Sequence, residues 1–70
     1  MKVDVRFVVV EVPYMGLIHV ECASEPDEDE RIVLRRNGFH KHLSNPLIWS
    51  RKLTIDARSS AARACMELNW

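Results

Sequence analysis

The chain has 70 residues, 47% of them hydrophobic, and its 10 Lys and Arg residues balance its 10 Asp and Glu residues. This apolar content excludes an intrinsically disordered chain, and the length predicts a single domain, 1–70, with a narrow stability margin. The longest apolar run, Phe7 to Val10, is far too short to cross a membrane. We expect no signal peptide, and the two cysteines favour reduced thiols and a cytoplasmic location over a disulfide-rich secreted domain.

The charges are distributed unevenly along the chain. Residues 1–30 carry two cations and eight anions, whereas residues 31–70 carry eight cations and two anions. Solvated faces and helix-end charges would produce such a pattern. A basic surface for a phosphate backbone or an acidic protein would produce it equally well. The charge pattern alone leaves both interpretations open.

The first two predicted elements form a β-hairpin. Residues Lys2 to Val12 alternate polar and apolar side chains at first, which is the period-two pattern of a strand with one buried face. From Val8 onward the second face is apolar too, which predicts either cover on both sides or an exposed partner-binding edge. Pro13 to Gly16 predicts a turn, and Leu17 to Ala23 predicts the returning strand.

The segment from Ser24 to Gly38 admits two interpretations. A helix would have Ser24 as its N-cap, a proline and acidic residues in its first turn, arginines in its last turn, and Gly38 just past its end. The alternative is a strand over Arg31–Arg36 that ends in an Asn37-Gly38 hairpin turn. We favour the helix because the strand leaves the cap, the proline and the charge gradient unexplained.

A second hairpin and a final helix complete the chain. Phe39 to Leu43 and Leu47 to Leu53 predict two short strands, with Trp49 in the core. Thr54 or Asp56 is expected to cap the last helix. The apolar stripe of that helix is predicted to contain Ala57, Ala61, Ala62, Cys65 and Leu68. The order ββαββα predicts an α+β fold, a small antiparallel sheet of about four strands with two helices packed on it.

Residues 33–65 carry a set of spaced motifs. These are Leu34-Arg35-Arg36-Asn37-Gly38-Phe39, Trp49-Ser50-Arg51-Lys52-Leu53-Thr54, Asp56-Ala57-Arg58 and Ala61-Ala62. The pattern resembles a helix–hairpin–helix module that recurs in proteins of phages and plasmids. Lys41 stands where that module often has a second aromatic residue. The resemblance implies a mobile-element origin, and with it a small phage-encoded protein that modulates a host machine.

Metal binding and catalysis have little support in the sequence. His19 and Cys22 lie an odd number of residues apart on one strand and therefore point to opposite faces, whereas His40 and His42 share a face and supply half a metal site at most. Cys65 lies in an alanine stripe, which is typical of an unreactive core thiol. We therefore expect no metal, no cofactor and no enzymatic activity.

A basic cluster around the second hairpin is the candidate partner-binding site. It comprises Arg35, Arg36, His40, Lys41, His42, Trp49, Arg51 and Lys52. Arginines beside an aromatic residue suit a hot spot on a protein surface and also suit base stacking with phosphate contacts. We expect docking on a host protein complex, with RNA polymerase as the first target by analogy. Direct nucleic-acid binding and inhibition of a host defence nuclease complex are the alternatives, and no membrane or small-molecule ligand is expected.

Overall fold

The computed structural model describes residues 6–69, in which two helices pack on one face of a four-stranded antiparallel sheet. The strands are β1 (Phe7–Val12), β2 (Leu17–Cys22), β3 (His40–Lys41) and β4 (Ile48–Lys52), and the helices are α1 (Glu28–Arg36) and α2 (Ile55–Asn69). The order across the sheet is β1-β2-β4-β3. The predicted α+β fold in ββαββα order is confirmed. The predicted strand start at Lys2 and the terminal Trp70 lie outside the described residues.

The β1–β2 connection is the predicted turn. Pro13–Met15 forms one turn of 3₁₀-helix, and the Gly16 N–H donates to the Pro13 carbonyl at 3.0 Å. Gly16 has a φ of +67°, a left-handed conformation that glycine adopts without a Cβ clash. Its carbonyl accepts from Leu53 N at 2.8 Å, which joins the turn to the end of β4.

Helix α1 forms as predicted, but it begins three residues later than the Ser24 cap implied. Its N-cap is Asp27, whose side chain accepts from Glu30 N at 2.9 Å while the Glu30 carboxylate accepts from Asp27 N at 2.9 Å. The Ser24 prediction is wrong because Pro26 disfavours a helical residue before it, and because Glu at the third helical position completes this reciprocal capping box. The helix ends before Gly38, whose φ of +86° confirms the predicted C-terminal glycine.

Helix α2 packs through small side chains. Ala57 N donates to the Thr54 hydroxyl at 3.2 Å, so Thr54 rather than Asp56 caps this helix. The predicted stripe is correct except at one position, because Ala62 is exposed and Ala64 is buried instead. Ala64 is seven residues after Ala57 and returns to the same side at 3.6 residues per turn, whereas Ala62 does not.

The strand registers assign the sheet side chains to two faces. The covered face, against the helices, holds the buried residues Phe7, Ile18, Val20, Cys22 and Trp49. Trp49 is 2% exposed, so its predicted core position is confirmed. We call the other side the open face, and its side chains are all half-buried or exposed: Val8, Val10, Val12, Leu17, His19, Glu21, His40, His42, Ile48, Ser50 and Lys52. Val8 is 49% exposed, so residues 6–69 leave the second apolar face of β1 uncovered.

Candidate functional site

The eight residues of the predicted basic cluster divide into three groups. Four of them line one cleft: Arg35, His40, Lys41 and Trp49. Two others, His42 and Lys52, lie on the open face of the sheet, which His40 shares at its edge. The remaining two make contacts within the fold: Arg36 and Arg51. The cleft is therefore the place where most of the predicted residues meet.

The cleft lies between one side of α1 and the β3–β4 pair, and its volume is about 270 Å³. Its lining residues are Glu28, Arg31, Arg35, His40, Lys41 and Trp49. The three helical residues are spaced at i, i+3 and i+7, which places them on one side of α1. The sheet register sets Lys41 beside Trp49. Sequence reasoning missed Arg31 and Glu28, although their helical spacing from Arg35 was the signal that could have found them.

The Trp49 indole is a buried wall of the cleft. Its ring is 2% exposed, and the Arg35 guanidinium carbon lies over it at 5.8 Å from the ring centroid. This cation–π contact orients the guanidinium and covers the ring. The indole N–H is buried and has no hydrogen-bond partner among the described residues. The ring therefore supports the guanidinium and does not itself present a surface to a ligand.

The cleft carries an excess of positive charge. Arg31 donates to Glu28 at 2.7 Å and to the Pro26 carbonyl at 3.3 Å. The hydrogen bond from Arg31 lowers the pKa of Glu28 below its ordinary value, so this pair is fully ionised at neutral pH. Arg35 and Lys41 have no carboxylate partner within residues 6–69. Two cationic groups in the cleft are thus available to an incoming anion.

Arg36 and Arg51 form contacts with other residues of the same chain. Arg36 donates to Glu67 at 2.9 Å and thereby links α1 to α2. Arg51 donates to the Asn37 carbonyl at 2.7 Å, and its guanidinium carbon lies 6.0 Å from the Phe39 ring centroid. A Cβ added at Gly38 would come within 2.8 Å of the Arg51 guanidinium, so the turn after α1 is packed against this side chain. These two residues contact neighbours on the protein and lie outside the cleft lining.

The three histidines lie on the open face of the sheet. The His19 and His42 rings meet edge to face with their centroids 6.4 Å apart, and His42 Nδ1 lies 3.0 Å from the Ser44 hydroxyl. His40 and His42 share a face of the sheet, as the sequence predicted. Within residues 6–69 no group of three or more His, Cys, Asp or Glu side chains could hold a metal ion.

The two thiols lie in the core. Cys22 and Cys65 are both free and buried, and they belong to the same hydrophobic cluster. Burial raises the pKa of the Cys22 thiol to about 11 and raises that of Cys65 as well. Neutral, desolvated thiols are poor nucleophiles and poor metal ligands. The arrangement is that of two structural cysteines.

No family model, curated protein or solved structure matches this chain. The resemblance of residues 33–65 to a module of phage and plasmid proteins, and the mobile-element origin that it implies, stay predictions. Within residues 6–69, no helix has the length and apolar character needed to cross a membrane. The cytoplasmic location stays a prediction too.

Proposed function

We propose that this chain is a non-enzymatic protein-binding module whose cleft receives a carboxylate-bearing segment of a larger partner. The observation that carries the proposal is the convergence of Arg31, Arg35 and Lys41 around the buried Trp49 ring. Arginine is among the residue types that most often dominate the binding energy of protein interfaces, and here the Trp49 ring orients the Arg35 guanidinium. Arg35 presents a planar fork of donors, which matches the two oxygens of a carboxylate.

The surroundings of the cleft favour a short acidic segment over a nucleic-acid strand. Trp49 has no exposed ring on which a base could stack. Glu28 stands in the cleft wall, and exposed anions flank it at Glu25 and Asp29. A phosphate backbone needs several cations in a row, whereas Arg36 and Arg51 are occupied by contacts within the fold. A single carboxylate needs only the two unpaired cations of the cleft.

The proposed partner is a host macromolecular complex, and RNA polymerase is the first target to test. This choice extends the analogy drawn from the sequence and is independent of the cleft geometry. A defence nuclease complex is the second target. The acidic start of α1 lies next to the basic cleft, so a partner with neighbouring acidic and basic patches would fix the orientation of the bound chain.

A titration with two matched anions tests the chemistry of the cleft. Calorimetry would compare a glutamate-rich peptide with a thymidine oligonucleotide of equal charge, and amide chemical shifts would locate the contact. We expect tighter binding of the peptide, with shifts at Arg35, Lys41 and the Trp49 indole. Arg35→Gln should weaken peptide binding about tenfold, since a charge-assisted hydrogen bond contributes about 1.5–3 kcal/mol. Arg63→Gln, an exposed arginine of α2, is the matched control.

Two results would contradict the proposal. If Arg35→Gln and Arg63→Gln bind the peptide equally well, the cleft is not the site. If the oligonucleotide binds more tightly, with a steep dependence of affinity on salt, the nucleic-acid alternative gains support. Capture from bacterial lysate with the wild type and with Arg35→Gln, each with and without nuclease, would then identify the target. A complex that survives nuclease and depends on Arg35 is the expected result.

A further inference from the structure

The open face is an ordered grid of side chains that no part of residues 6–69 covers. Its three rows, each crossing the sheet from β1 toward β3, are Val8, Glu21, Ile48 and His42; Val10, His19, Ser50 and His40; and Val12, Leu17 and Lys52. Every one of these side chains is half-buried or exposed. The three histidines of the chain all belong to this grid.

One side of the open face is apolar without interruption. The β1 column consists entirely of valines, and Leu17 adjoins it at one end. Antiparallel sheets that face water normally present polar side chains on that face. An apolar column that residues 6–69 leave uncovered marks an interaction site, because removing apolar surface from water is favourable.

Among residues 6–69, the open face carries one negative and one positive side chain, so two copies of it can pair their opposite charges. On the open face, Glu21 is the carboxylate and Lys52 is the amine, and neither forms an ion pair in the described part of the chain. They lie at diagonally opposite positions about a centre between His19 and Ser50. A two-fold axis through that centre brings Glu21 of each copy against Lys52 of the other. We infer that the open face is the interface for a second copy of this chain, in a symmetric face-to-face dimer.

The proposed pairing has the geometry of ordinary sheet packing. With about 3.4 Å per residue along a strand and about 4.8 Å between strands, the line from Glu21 to Lys52 is tilted about 20° from the strand direction. The strands of the two copies then cross at about 40°, near the roughly 30° of aligned sheets. The chain has a net charge of zero, so the two copies do not repel each other as a whole. The dimer has four layers, with both helix layers outside.

Charge reversal at the two diagonal positions tests the inference. Sedimentation equilibrium would measure the dimer of the wild type, of Glu21→Lys and of Lys52→Glu at pH 7.5. Each single variant sets like charges against each other twice, and we expect at least a tenfold weaker dimer. An equimolar mixture of the two variants restores both opposite-charge pairs and should form a heterodimer at least as tight as the wild type. Glu25→Lys and Arg63→Glu carry the same charge changes outside the open face, and they should leave the dimer unchanged.

The inference fails on clear results. A wild type that stays monomeric at millimolar concentration overturns it, as does a dimer that both charge-reversed variants preserve, or a mixture of the two variants that does not associate. The inference is independent of the proposed function, because the cleft shares only His40 with the open face, and neither Glu21 nor Lys52 lines the cleft. Arg35→Gln, which tests the cleft, should leave self-association unchanged.

Discussion

The two faces of the sheet differ in what covers them, although β1 contributes apolar side chains to both, Phe7 and Val9 to one and three valines to the other. Phe7 on the covered face is 1% exposed, whereas the next residue, Val8 on the open face, is 49% exposed. The strand pattern sets these two side chains on opposite faces, and the helices determine which face becomes the core. Stability should therefore depend on the covered face, and association on the open face. Mutations on each face can separate the effect on stability from the effect on association.

The largest effect should come from truncating the covered face. Phe7→Ala removes a fully buried ring from the core cluster and should lower the free energy of unfolding by about 3–5 kcal/mol. Val8→Ala, one residue along the same strand, should cost less than about 1 kcal/mol in the monomer. Urea unfolding at low protein concentration measures both values. Equal losses in the two variants would contradict the assignment of the faces.

The covered face should also suppress thiol chemistry. Because burial raises the pKa of Cys22 from 9.0 to about 11, about 100-fold less thiolate is present at pH 8 than in a free thiol. Alkylation of Cys22, followed by mass spectrometry, should be slower by at least that factor than in the chain unfolded in urea.

The same shift sets the alkaline limit of stability. The neutral thiol is favoured in the folded state, so its contribution is fully present below about pH 9 and is lost as the pH rises toward about 11. The free energy of unfolding should therefore fall across that window. Cys22→Ala should show a smaller fall, with the remainder due to Cys65, whose pKa is also raised by burial. Rapid alkylation of Cys22 in the folded protein at pH 8 would contradict both thiol predictions, because it would show that water reaches the covered face.

The outer edge of β1 separates the two faces of the sheet. At the start of this edge, the Asn69 side chain bonds to the backbone of Arg6 and Phe7. Its side-chain oxygen accepts from Arg6 N and Phe7 N, each at 2.9 Å, and its amide donates to the Phe7 carbonyl at 2.8 Å. Asn69→Ala leaves these groups without partners and should cost about 1–3 kcal/mol. It should also increase association along the strand edge, which light scattering would detect. Ser59→Ala, at an exposed site on α2, is the control. A variant as stable and monodisperse as this control would exclude the edge role.

The sequence predicted the fold through local signals. Alternation along the first two strands, the Pro13–Gly16 turn, the glycine after α1 and the aromatic at position 49 are each determined within a few residues. For the open face the sequence left two outcomes: from Val8 onward the second face of the strand was expected to be either covered or exposed as a partner-binding edge. The deciding factor is where α1 and α2 dock, which depends on contacts between residues far apart in the chain.

The candidate site was predicted less well, for the same reason. Half of the eight residues in the predicted cluster line the cleft, but Arg36 pairs with Glu67, 31 positions away, and Arg51 reaches back 14 positions to Asn37. A count of cations near one another in sequence cannot tell a free charge from one held by a distant partner. Arg31 was omitted because it precedes the second hairpin by eight residues, and only the folded helix brings it beside Lys41.

The smallest expected loss of stability comes from a change at the N-cap of α1, one of the two helices that cover the core. Asp27→Ala removes the carboxylate that accepts from Glu30 N, one of the two hydrogen bonds of the capping box, and should cost about 1 kcal/mol in urea unfolding. Ser24→Ala is the matched control, because Ser24 lies outside the helix and accepts only a long contact of 3.4 Å from Arg6. If Ser24→Ala were the more costly change, the helix would begin at the serine after all. Since α1 carries Arg31 and Arg35 into the cleft, a helix that frays at Asp27 should also weaken binding of an acidic peptide while leaving association through the open face intact.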